Sequence, residues 1–368
     1  DWPEESRFRY TVEQGWSLQR YVERRPSDQV DRLMSLAREG RVEVNALFGN
    51  ETSELCGHEE QIRLLYPTFA LKRRYGIPIL TAELNDVPGL SWGLASTLAG
   101  AGIRYFSPRL PTYFSWGGMT VHSYWDEDAV LPNDLSGAFW WEALDGQRVL
   151  LWYGYRMWLW TFEQSVADLP GHLVDHRRRG YPFDLIRFGF ESSGRDNAPP
   201  DIRLSFIARQ WNSRWAYPRL LVSTNRMFFE ALESREGDRL RVLRGDLPNT
   251  DYTVGALSTA KETAVNRATH DVLGSAEKLA ACASLVSDYE YPAEQIADAM
   301  ACEMLYDEHT WGMSNPMGPA QEGNWSDKSR YAYRAAALAH DVLVKSSNRL
   351  ADQVILDAEG HHLVVFNP

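Results

Sequence analysis

Residues 78–91 read PILTAELNDVPGLS, and this stretch decides how the rest of the chain is interpreted. Residues 78–84 have the composition of a buried strand, and a Pro-Gly pair then separates them from a helix-sized segment at 90–102. Asp86 follows the carboxyl end of the strand, where α/β enzymes gather their functional groups. Asp86 is therefore a candidate nucleophile or metal ligand, and the alternative is an Asp that caps the following helix.

The alternation of short strands with longer helical segments extends in both directions from this point to about residue 240. A helical segment at 54–74 precedes the strand, and residues 108–136, rich in Trp, Gly, Pro and Tyr, predict a long loop over one end of the sheet. Repeated β-α units predict a parallel sheet or barrel. The further candidate strands are 41–48, 104–106, 149–153, 185–190 and 219–222.

The character of the chain changes after Thr259. Residues 261–288, 294–308 and 328–354 are Ala-rich, have helical periodicity and predict a three-helix bundle. Residues 357–368 alternate like a strand. The predicted domains are a (β/α) barrel catalytic domain at 1–245, a helical bundle at 246–350 and the start of a C-terminal β domain at 351–368.

Composition excludes several classes of partner. The 368 residues carry 38 Lys and Arg against 50 Asp and Glu, a formal net charge of −12, so neither nucleic acid nor an anionic membrane surface is an expected partner. Three cysteines, Cys56, Cys282 and Cys302, cannot build a disulfide framework. Because we find no membrane-spanning apolar run and no leader-like start, we expect a cytoplasmic protein.

Two further segments carry candidate chemistry. Residues 191–201, ESSGRDNAPPD, follow a predicted strand and offer Asp196. Two carboxylates on separate strand ends are what glycoside hydrolysis requires, although Asp196 could instead form an Asx-turn. Residues 305–312, LYDEHTWG, end a bundle helix and offer His309 as a metal ligand, with Asp307 or Glu308 hydrogen-bonded behind it. The alternative is an ordinary surface or core histidine.

The order of these segments resembles glycoside hydrolase family 38, the retaining α-mannosidases and their relatives. The loop at 86–91, with Arg109 beyond it, resembles the family's nucleophile loop, Asp-Pro-Phe-Gly-His-Ser. Residues 194–200 resemble the acid loop, and 306–310 align with the bundle helix that carries Asn-Gln-Phe-His-Asp. Similar but more degenerate matches are found at 223–229, 244–246, 252–253 and 261–267.

The resemblance implies a parallel (β/α)7-type barrel followed by a three-helix bundle and one zinc ion. Asp86 would be both nucleophile and zinc ligand, Asp196 the general acid/base, and His309 the histidine ligand of zinc. The family's His-x-Asp-x-Gly-Trp motif, which supplies two more zinc ligands, has no counterpart in these residues, so the remaining ligands are expected upstream of residue 1. Arg109 would lie beside Asp86, and the aromatics Trp92 and Tyr252 are candidates for stacking on sugar rings.

The predicted function is that of a zinc-dependent retaining glycosidase acting on α-mannosides or related α-glycans, with a carbohydrate substrate as its partner. Two alternatives stay open: a metal-dependent deacetylase-like hydrolase, in which the metal activates water, and a catalytically impaired glycan-binding module. The sequence leaves open whether the chain forms a homo-oligomer.

Overall fold

The computed structural model describes residues 2–85, 87, 89–109, 113–116, 119–122, 137–153, 161–178, 180–188, 199–247, 259–310, 317–357 and 359–368. For residues 109, 113–116, 119–122 and 153 it describes the backbone alone. The chain divides into two compact units. The α/β unit contains Asp1–Asn50 and Leu65–Asp251, and the helical unit contains Glu51–Leu64 and Tyr252–Pro368.

The main sheet of the α/β unit has five strands in the order β3-β4-β8-β7-β9. β3, β4 and β8 run parallel, whereas β7 is antiparallel to β8 and parallel to β9. A parallel pair, β1 and β2, and an antiparallel hairpin, β5 and β6, form two smaller sheets. The strands are β1 (Tyr10–Val12), β2 (Val42–Val44), β3 (Thr81–Asn85), β4 (Tyr105–Arg109), β5 (Tyr113–Trp116), β6 (Met119–His122), β7 (Gly137–Glu142), β8 (Arg148–Tyr153) and β9 (Val242–Arg244).

Helices connect and cover these strands. A 3-10 turn at Glu4–Ser6 precedes β1, and another at Gly237–Arg239 precedes β9. The α-helices of this unit are α1 (Gly15–Arg24), α2 (Ser27–Arg38), α4 (Tyr66–Tyr75), α5 (Trp92–Gly100), α6 (Phe162–Arg178), α7 (Arg203–Arg214) and α8 (Asn225–Glu236), and α3 (His58–Arg63) belongs to the helical unit. Large aromatic side chains fill the core beside the sheet, and the ring of Tyr105 stacks on Phe229 of α8 with centroids 5.1 Å apart.

The helical unit is built on three long helices: α9 (Ala260–Val286), α10 (Ala293–Asp307) and α11 (Pro319–Ala351). Alanines at their contacts, such as Ala280, Ala299 and Ala335, are fully buried. Small side chains let helices approach closely, which explains the Ala-rich sequence. The short helix α3 comes from the N-terminal half of the chain. The predicted C-terminal helices are thus confirmed. No helix among the described residues is long and apolar enough to cross a membrane.

The predicted strands at 41–48, 78–84, 104–106 and 149–153 are found as β2, β3, β4 and β8. The described parts of the other two, 185–188 and 219–222, are not strands. Residues 359–368, predicted to alternate like a strand, are also without strand structure. The described strands therefore establish a mixed α/β fold, whereas the closed parallel barrel stays a prediction.

The sequence-based expectation missed the antiparallel strand β7. It pairs with β8 through a tight turn in which the Gly146 amide donates to the Ala143 carbonyl at 3.1 Å and the Gln147 amide to Asp145 Oδ1 at 3.0 Å. Gly146 has a φ of 85°, which favours glycine. This turn makes the sheet mixed rather than wholly parallel.

Candidate active site and buried acid clusters

The strand ends near Asp86 are held by polar contacts. The Asn85 amide donates to Asn50 Oδ1 at 2.8 Å, and Asn50 Nδ2 donates to Glu13 Oε1 at 2.8 Å. In the parallel register Asn85 lies opposite Arg109, the last residue of β4. The carboxyl ends of β3 and β4 thus bring the backbone of Arg109 next to the residue that precedes Asp86, and the pairing of Asp86 with Arg109 itself stays a prediction.

A hydrogen-bonded group of polar side chains supports β3, and we call it the Glu83 network: Asn45, Glu83, Ser107, Arg187 and Asn225. Glu83 is 1% exposed, and its Oε2 accepts from Asn45 Nδ2 at 3.0 Å and from Asn225 Nδ2 at 2.9 Å. Its Oε1 lies 3.8 Å from Arg187 Nη2, and the same guanidinium donates to Ser107 and Asn225. Side chains alternate along a strand, so Glu83 and Asn85 share one face of β3.

A second acid fixes the beginning of helix α8. Glu43 on β2 accepts from the backbone amides of Asn225 at 2.6 Å and Arg226 at 2.9 Å, and from Thr81 Oγ1 at 2.8 Å. Burial raises the pKa of Glu43, while these hydrogen bonds oppose the shift. A carboxylate at a helix N-terminus satisfies amides that have no partner within the helix. Glu43 therefore ties β2, β3 and α8 together.

Trp92, a predicted sugar-stacking residue, begins α5 and is held by the same unit. Its backbone amide donates to Asp246 Oδ1 at 2.7 Å, and its indole Nε1 donates to the Glu142 carbonyl at 2.7 Å. The guanidinium of Arg244 lies 5.8 Å from the ring centroid. These contacts account for its position structurally, and its role in substrate binding stays a prediction.

His309 lies in the helical unit, just beyond the end of α10. Its Nδ1 is 3.1 Å from Glu308 Oε1, while Glu308 Oε2 accepts from the Thr310 amide at 3.1 Å and from Thr310 Oγ1 at 2.6 Å. Burial opposes ionisation, but the hydrogen bonds from His309 and Thr310 lower the pKa of Glu308 overall. A histidine held at one ring nitrogen by a carboxylate is arranged to ligate a metal through the other. This arrangement fits a zinc ligand, and the role of His309 stays a prediction.

A buried lysine closes the end of α10. Lys328, 3% exposed, donates from Nζ to the carbonyls of Leu305 at 2.8 Å, Tyr306 at 3.1 Å and Glu308 at 2.6 Å. Cations are favoured at helix C-termini, where carbonyls lack intrahelical partners. Burial lowers the pKa of Lys328 to about 8. These hydrogen bonds from Lys328 hold the backbone just before His309 in place.

A group of ionisable side chains lies deeper in the helical unit, and we call it the Cys56 cluster: Cys56, Glu60, His270, Glu303 and Asp307. His270 Nε2 lies 3.1 Å from Glu60 Oε2 and 3.4 Å from Asp307 Oδ2. Cys56 Sγ, a Glu60 oxygen and an Asp307 oxygen all lie within 4.8 Å of one another. Thiolate, imidazole and carboxylate are the ligand types that zinc uses in proteins. These residues could hold a metal ion.

The structure describes little of the remaining predicted site residues. Asp86, Asp196 and Tyr252 lie outside the described residues, and Arg109 is described by its backbone alone. The structure therefore places Arg109 only through its backbone pairing with Asn85. It does not test the pairing of Asp86 with Asp196 or with His309.

Sequence reasoning missed the buried acids. Glu43 and Glu83 interrupt the apolar runs RVEVNALF and PILTAEL, and an acid inside a buried strand is a signal that could have marked them. Glu60 and His270 gave a weaker signal, because each stands among other polar residues in a helical segment. Asp307 was noted only for its closeness to His309 in sequence.

Comparison with known proteins agrees with the resemblance seen in the sequence. The pattern that defines the N-terminal domain of the glycosyl hydrolases of family 38 matches residues 3–250. Human alpha-mannosidase 2C1 is 30% identical over 223 residues, which are 58% of this chain and 19% of that protein. Members of this family are typically metal-dependent.

Solved structures support the fold. An alpha-mannosidase from Enterococcus faecalis V583 superposes with a TM-score of 0.68 at 16% identity, covering 95% of this chain and 38% of that one. A family 38 glycosyl hydrolase protein from Enterococcus faecalis gives a TM-score of 0.62 at 14% identity, covering 94% of this chain and 36% of its own. This chain thus spans well under half the length of each of these relatives. Since the family pattern covers most of its residues, the chain belongs to glycosyl hydrolase family 38.

Proposed function

We propose that this chain carries the catalytic machinery of a zinc-dependent retaining glycoside hydrolase acting on α-mannosides or related α-glycans. The observation that supports this most strongly is the family match over residues 3–250, which includes both predicted catalytic carboxylates. The hydrogen-bonded ends of β3 and β4 add to it, because they form a firm support for the residue that follows Asn85.

The proposed mechanism has two steps and uses two carboxylates. Asp86 attacks the anomeric carbon and forms a covalent glycosyl ester while Asp196 donates a proton to the leaving oxygen. Asp196 then accepts a proton from the water that cleaves the ester, so the released sugar keeps its anomeric configuration. A retaining pair of this kind stands about 5 Å apart.

Asp86 and His309 would hold the zinc ion, which when bound supplies a Lewis acid for the sugar hydroxyls. Glu308 has a distinct part in this proposal. Its pKa is lowered, so it stays ionised and keeps the imidazole of His309 oriented through Nδ1. Lys328 holds the carbonyls at the end of α10 and so limits movement of the segment that carries His309.

The Glu83 network supports the nucleophile indirectly. Glu83 lies three residues before Asp86, on the strand that leads to it, and its carboxylate is fixed by Asn45 and Asn225. A nucleophile must be held within a fraction of an ångström of its productive position. We propose that Glu83 is a positioning residue, which holds β3 while Asp86 carries out the chemistry.

The test is hydrolysis of an aryl α-mannoside, with the anomer of the first-formed sugar followed by NMR. We expect the α-anomer first and a loss of roughly 10³-fold or more in kcat/KM for Asp86→Asn. Asp145→Asn, in the exposed β7–β8 turn, is the matched control and should retain full activity.

Asp196→Ala gives a second, independent signature. It should be most harmful for substrates with poor leaving groups, which need protonation, and the loss should shrink for activated aryl glycosides. Release of the β-anomer would exclude a retaining mechanism. Glycan binding without turnover, both in this chain and in a form extended upstream to include a His-x-Asp motif, would contradict the enzymatic proposal and favour the glycan-binding module. Release of acetate from acetylated glycans would favour the deacetylase-like hydrolase.

A further inference from the structure

The Cys56 cluster contains none of the residues assigned to catalysis and is composed of metal-ligating groups. We propose that Cys56, Glu60, His270 and Asp307 form a structural zinc site inside the helical unit. This site uses neither Asp86 nor His309, so it is additional to the zinc of the proposed catalytic centre. It would join segment Glu51–Leu64 to helices α9 and α10.

The ion-pair contacts of His270 with two carboxylates have nearly the spacing of neighbouring ligands on one ion. Two ligands on a tetrahedral zinc lie roughly 3.3 to 3.8 Å apart, given zinc bonds of about 2.0 to 2.3 Å. His270 Nε2 lies 3.1 Å from the Glu60 oxygen and 3.4 Å from the Asp307 oxygen, which is close to this ligand–ligand distance. The Cys56 thiol lies within 4.8 Å of a Glu60 oxygen and of an Asp307 oxygen, so the sulfur would have to move by about 1 Å to share one ion with them.

Unsatisfied oxygens give an independent reason to expect a cation here. Glu303 is 1% exposed, and among the described residues its Oε1 has no hydrogen-bond partner. Glu60 Oε1 and Asn266 Oδ1 are buried and likewise lack hydrogen-bond partners in the described part of the helical unit. A buried polar atom without a partner costs free energy, and native structures contain few of them. Several acceptors without partners near one imidazole favour a further cation beside it.

The charge balance of the cluster leads to the same conclusion. Three carboxyls, of Glu60, Glu303 and Asp307, surround the imidazole of His270. His270 is the one basic member of the cluster and can balance at most one of these carboxylates, although it faces both Glu60 and Asp307. Without a further cation, the cluster can stay buried only if protons neutralise part of it. A divalent ion would neutralise the same carboxylates directly.

The donor set selects zinc over calcium or magnesium. Calcium and magnesium prefer oxygen ligands alone, whereas a thiolate with an imidazole is typical of zinc. On binding, the Cys56 thiol and the His270 imidazolium each lose a proton to solvent, and bonds from Sγ and Nε2 to the ion replace those S–H and N–H bonds. Two carboxylate oxygens, of Glu60 and Asp307, fill the remaining positions of the tetrahedron.

X-ray absorption at the zinc edge tests this directly on the purified chain, because sulfur lies farther from zinc than nitrogen or oxygen does, at about 2.3 Å against about 2.0 to 2.1 Å. We expect a sulfur neighbour in the unaltered chain, one per zinc when this site alone is occupied and a half when the catalytic centre also holds zinc, and none in Cys56→Ser. Cys302→Ser is the matched control, since Cys302 is also buried in the helical unit but lies beside Asp298 and Arg334. This variant should keep the sulfur signal.

A second readout covers the case in which Cys56→Ser does not fold. Cobalt substituted for zinc shows a thiolate charge-transfer band in the near ultraviolet, and Glu60→Gln should weaken cobalt retention at least tenfold while preserving the helical circular dichroism. Zinc with only nitrogen and oxygen neighbours in the unaltered chain would overturn the proposal. So would a sulfur signal that survives Cys56→Ser, or a folded chain that retains no zinc.

The experiments distinguish failure of the structural zinc site from failure of the proposed glycosidase function, on which this site does not depend. His309→Ala should abolish mannoside hydrolysis and leave the zinc–sulfur signal intact. If hydrolysis is absent from every form while the sulfur signal follows Cys56, the glycosidase proposal fails and the structural site stands.

Discussion

Two groups of buried polar side chains, one in each unit, differ in how their charges are balanced. In the Glu83 network, Oε2 of Glu83 accepts two amide hydrogen bonds and Oε1 faces the guanidinium of Arg187. In the Cys56 cluster, buried oxygens of Glu60 and Glu303 have no hydrogen-bond partner among the described residues. Both groups are equally buried, so burial alone does not separate a scaffold from a ligand site. The number of charges does: one guanidinium faces the single acid of the Glu83 network, whereas one imidazole faces the three acids of the Cys56 cluster.

The largest expected effect comes from breaking the matched group. Glu83→Ala removes the acceptor of the buried Asn45 and Asn225 side-chain amides and the carboxylate that faces Arg187, so we expect the free energy of unfolding to fall by about 3 to 5 kcal/mol. Urea denaturation followed by circular dichroism measures this. The control is Glu230→Ala, which removes an exposed pair with Arg226 and should cost about 0.5 kcal/mol or less. Equal losses in the two variants would contradict the scaffold role.

The second prediction compares the buried cations. Arg187 stays charged at any accessible pH, whereas the pKa of Lys328 is about 8 in the folded chain against 10.5 ordinarily. Between these values the unfolded chain binds a proton that the folded chain does not. Stability should therefore rise with pH from about 8 to 10.5, by about 3 kcal/mol at most.

Denaturation at a series of pH values, for the unaltered chain and for Lys328→Met, isolates this contribution. The rise should disappear in Lys328→Met and persist in Lys345→Met, because Lys345 is an exposed residue of α11 paired with Asp341. A rise that is unchanged in Lys328→Met would assign it to another group.

The third prediction is that replacing a buried acid by methionine changes the free energy of unfolding in opposite directions in the two groups. In the zinc-free chain, Glu303→Met replaces an unsatisfied acid by an apolar side chain, and we expect the free energy of unfolding to stay the same or to increase by up to about 2 kcal/mol. The matched variant Glu83→Met should be strongly destabilised. Thermal unfolding in the presence of a chelator compares them, and destabilisation of both would show that Glu303 has a partner essential to the fold.

The smallest effect concerns the packing of His270. A Cβ at Gly57 would lie 3.2 Å from the Cβ, Cγ and Nδ1 atoms of His270, while the φ of Gly57, −67°, is ordinary for any residue. Gly57→Ala should therefore cost about 1 kcal/mol through displacement of the imidazole. Gly274→Ala, in α9 with nothing within 4 Å, should instead gain about 0.5 to 1 kcal/mol. Urea denaturation of both variants measures the difference, and a neutral Gly57→Ala would indicate that His270 can move freely.

The sequence predicted the elements whose signals are local. The strand before Asp86 and the three Ala-rich helices are present because apolar periodicity reports a buried face directly. The segments at 185–188 and 219–222 show the limit of that signal. Leu185, Phe188 and Leu220 pack against core clusters without joining a strand, so their apolar character recorded burial and not backbone pairing.

The hairpin of β7 and β8 had a readable signal that was not used. Asp145-Gly146 between two β-rich runs is a strong hairpin pattern. The Cys56 cluster had no such signal, because its members come from three distant segments and only the tertiary fold brings them together. Glu60 is also the acid of a capping pattern, because it accepts a hydrogen bond from the Gly57 amide at 3.1 Å. This local role explains Glu60 in the sequence without any reference to its contact with His270.

The assignment of Glu51–Leu64 to the helical unit has a consequence for how the protein is made. Arg63 of this segment pairs with Glu277, 214 residues later in the chain, so the segment leaves the ribosome long before its partners exist. Contacts of such large sequence separation form late and slowly. An expression fragment that begins at residue 252 would contain all three long helices but neither Cys56 nor Glu60. Its helices would have to fold around the gap that α3 normally fills.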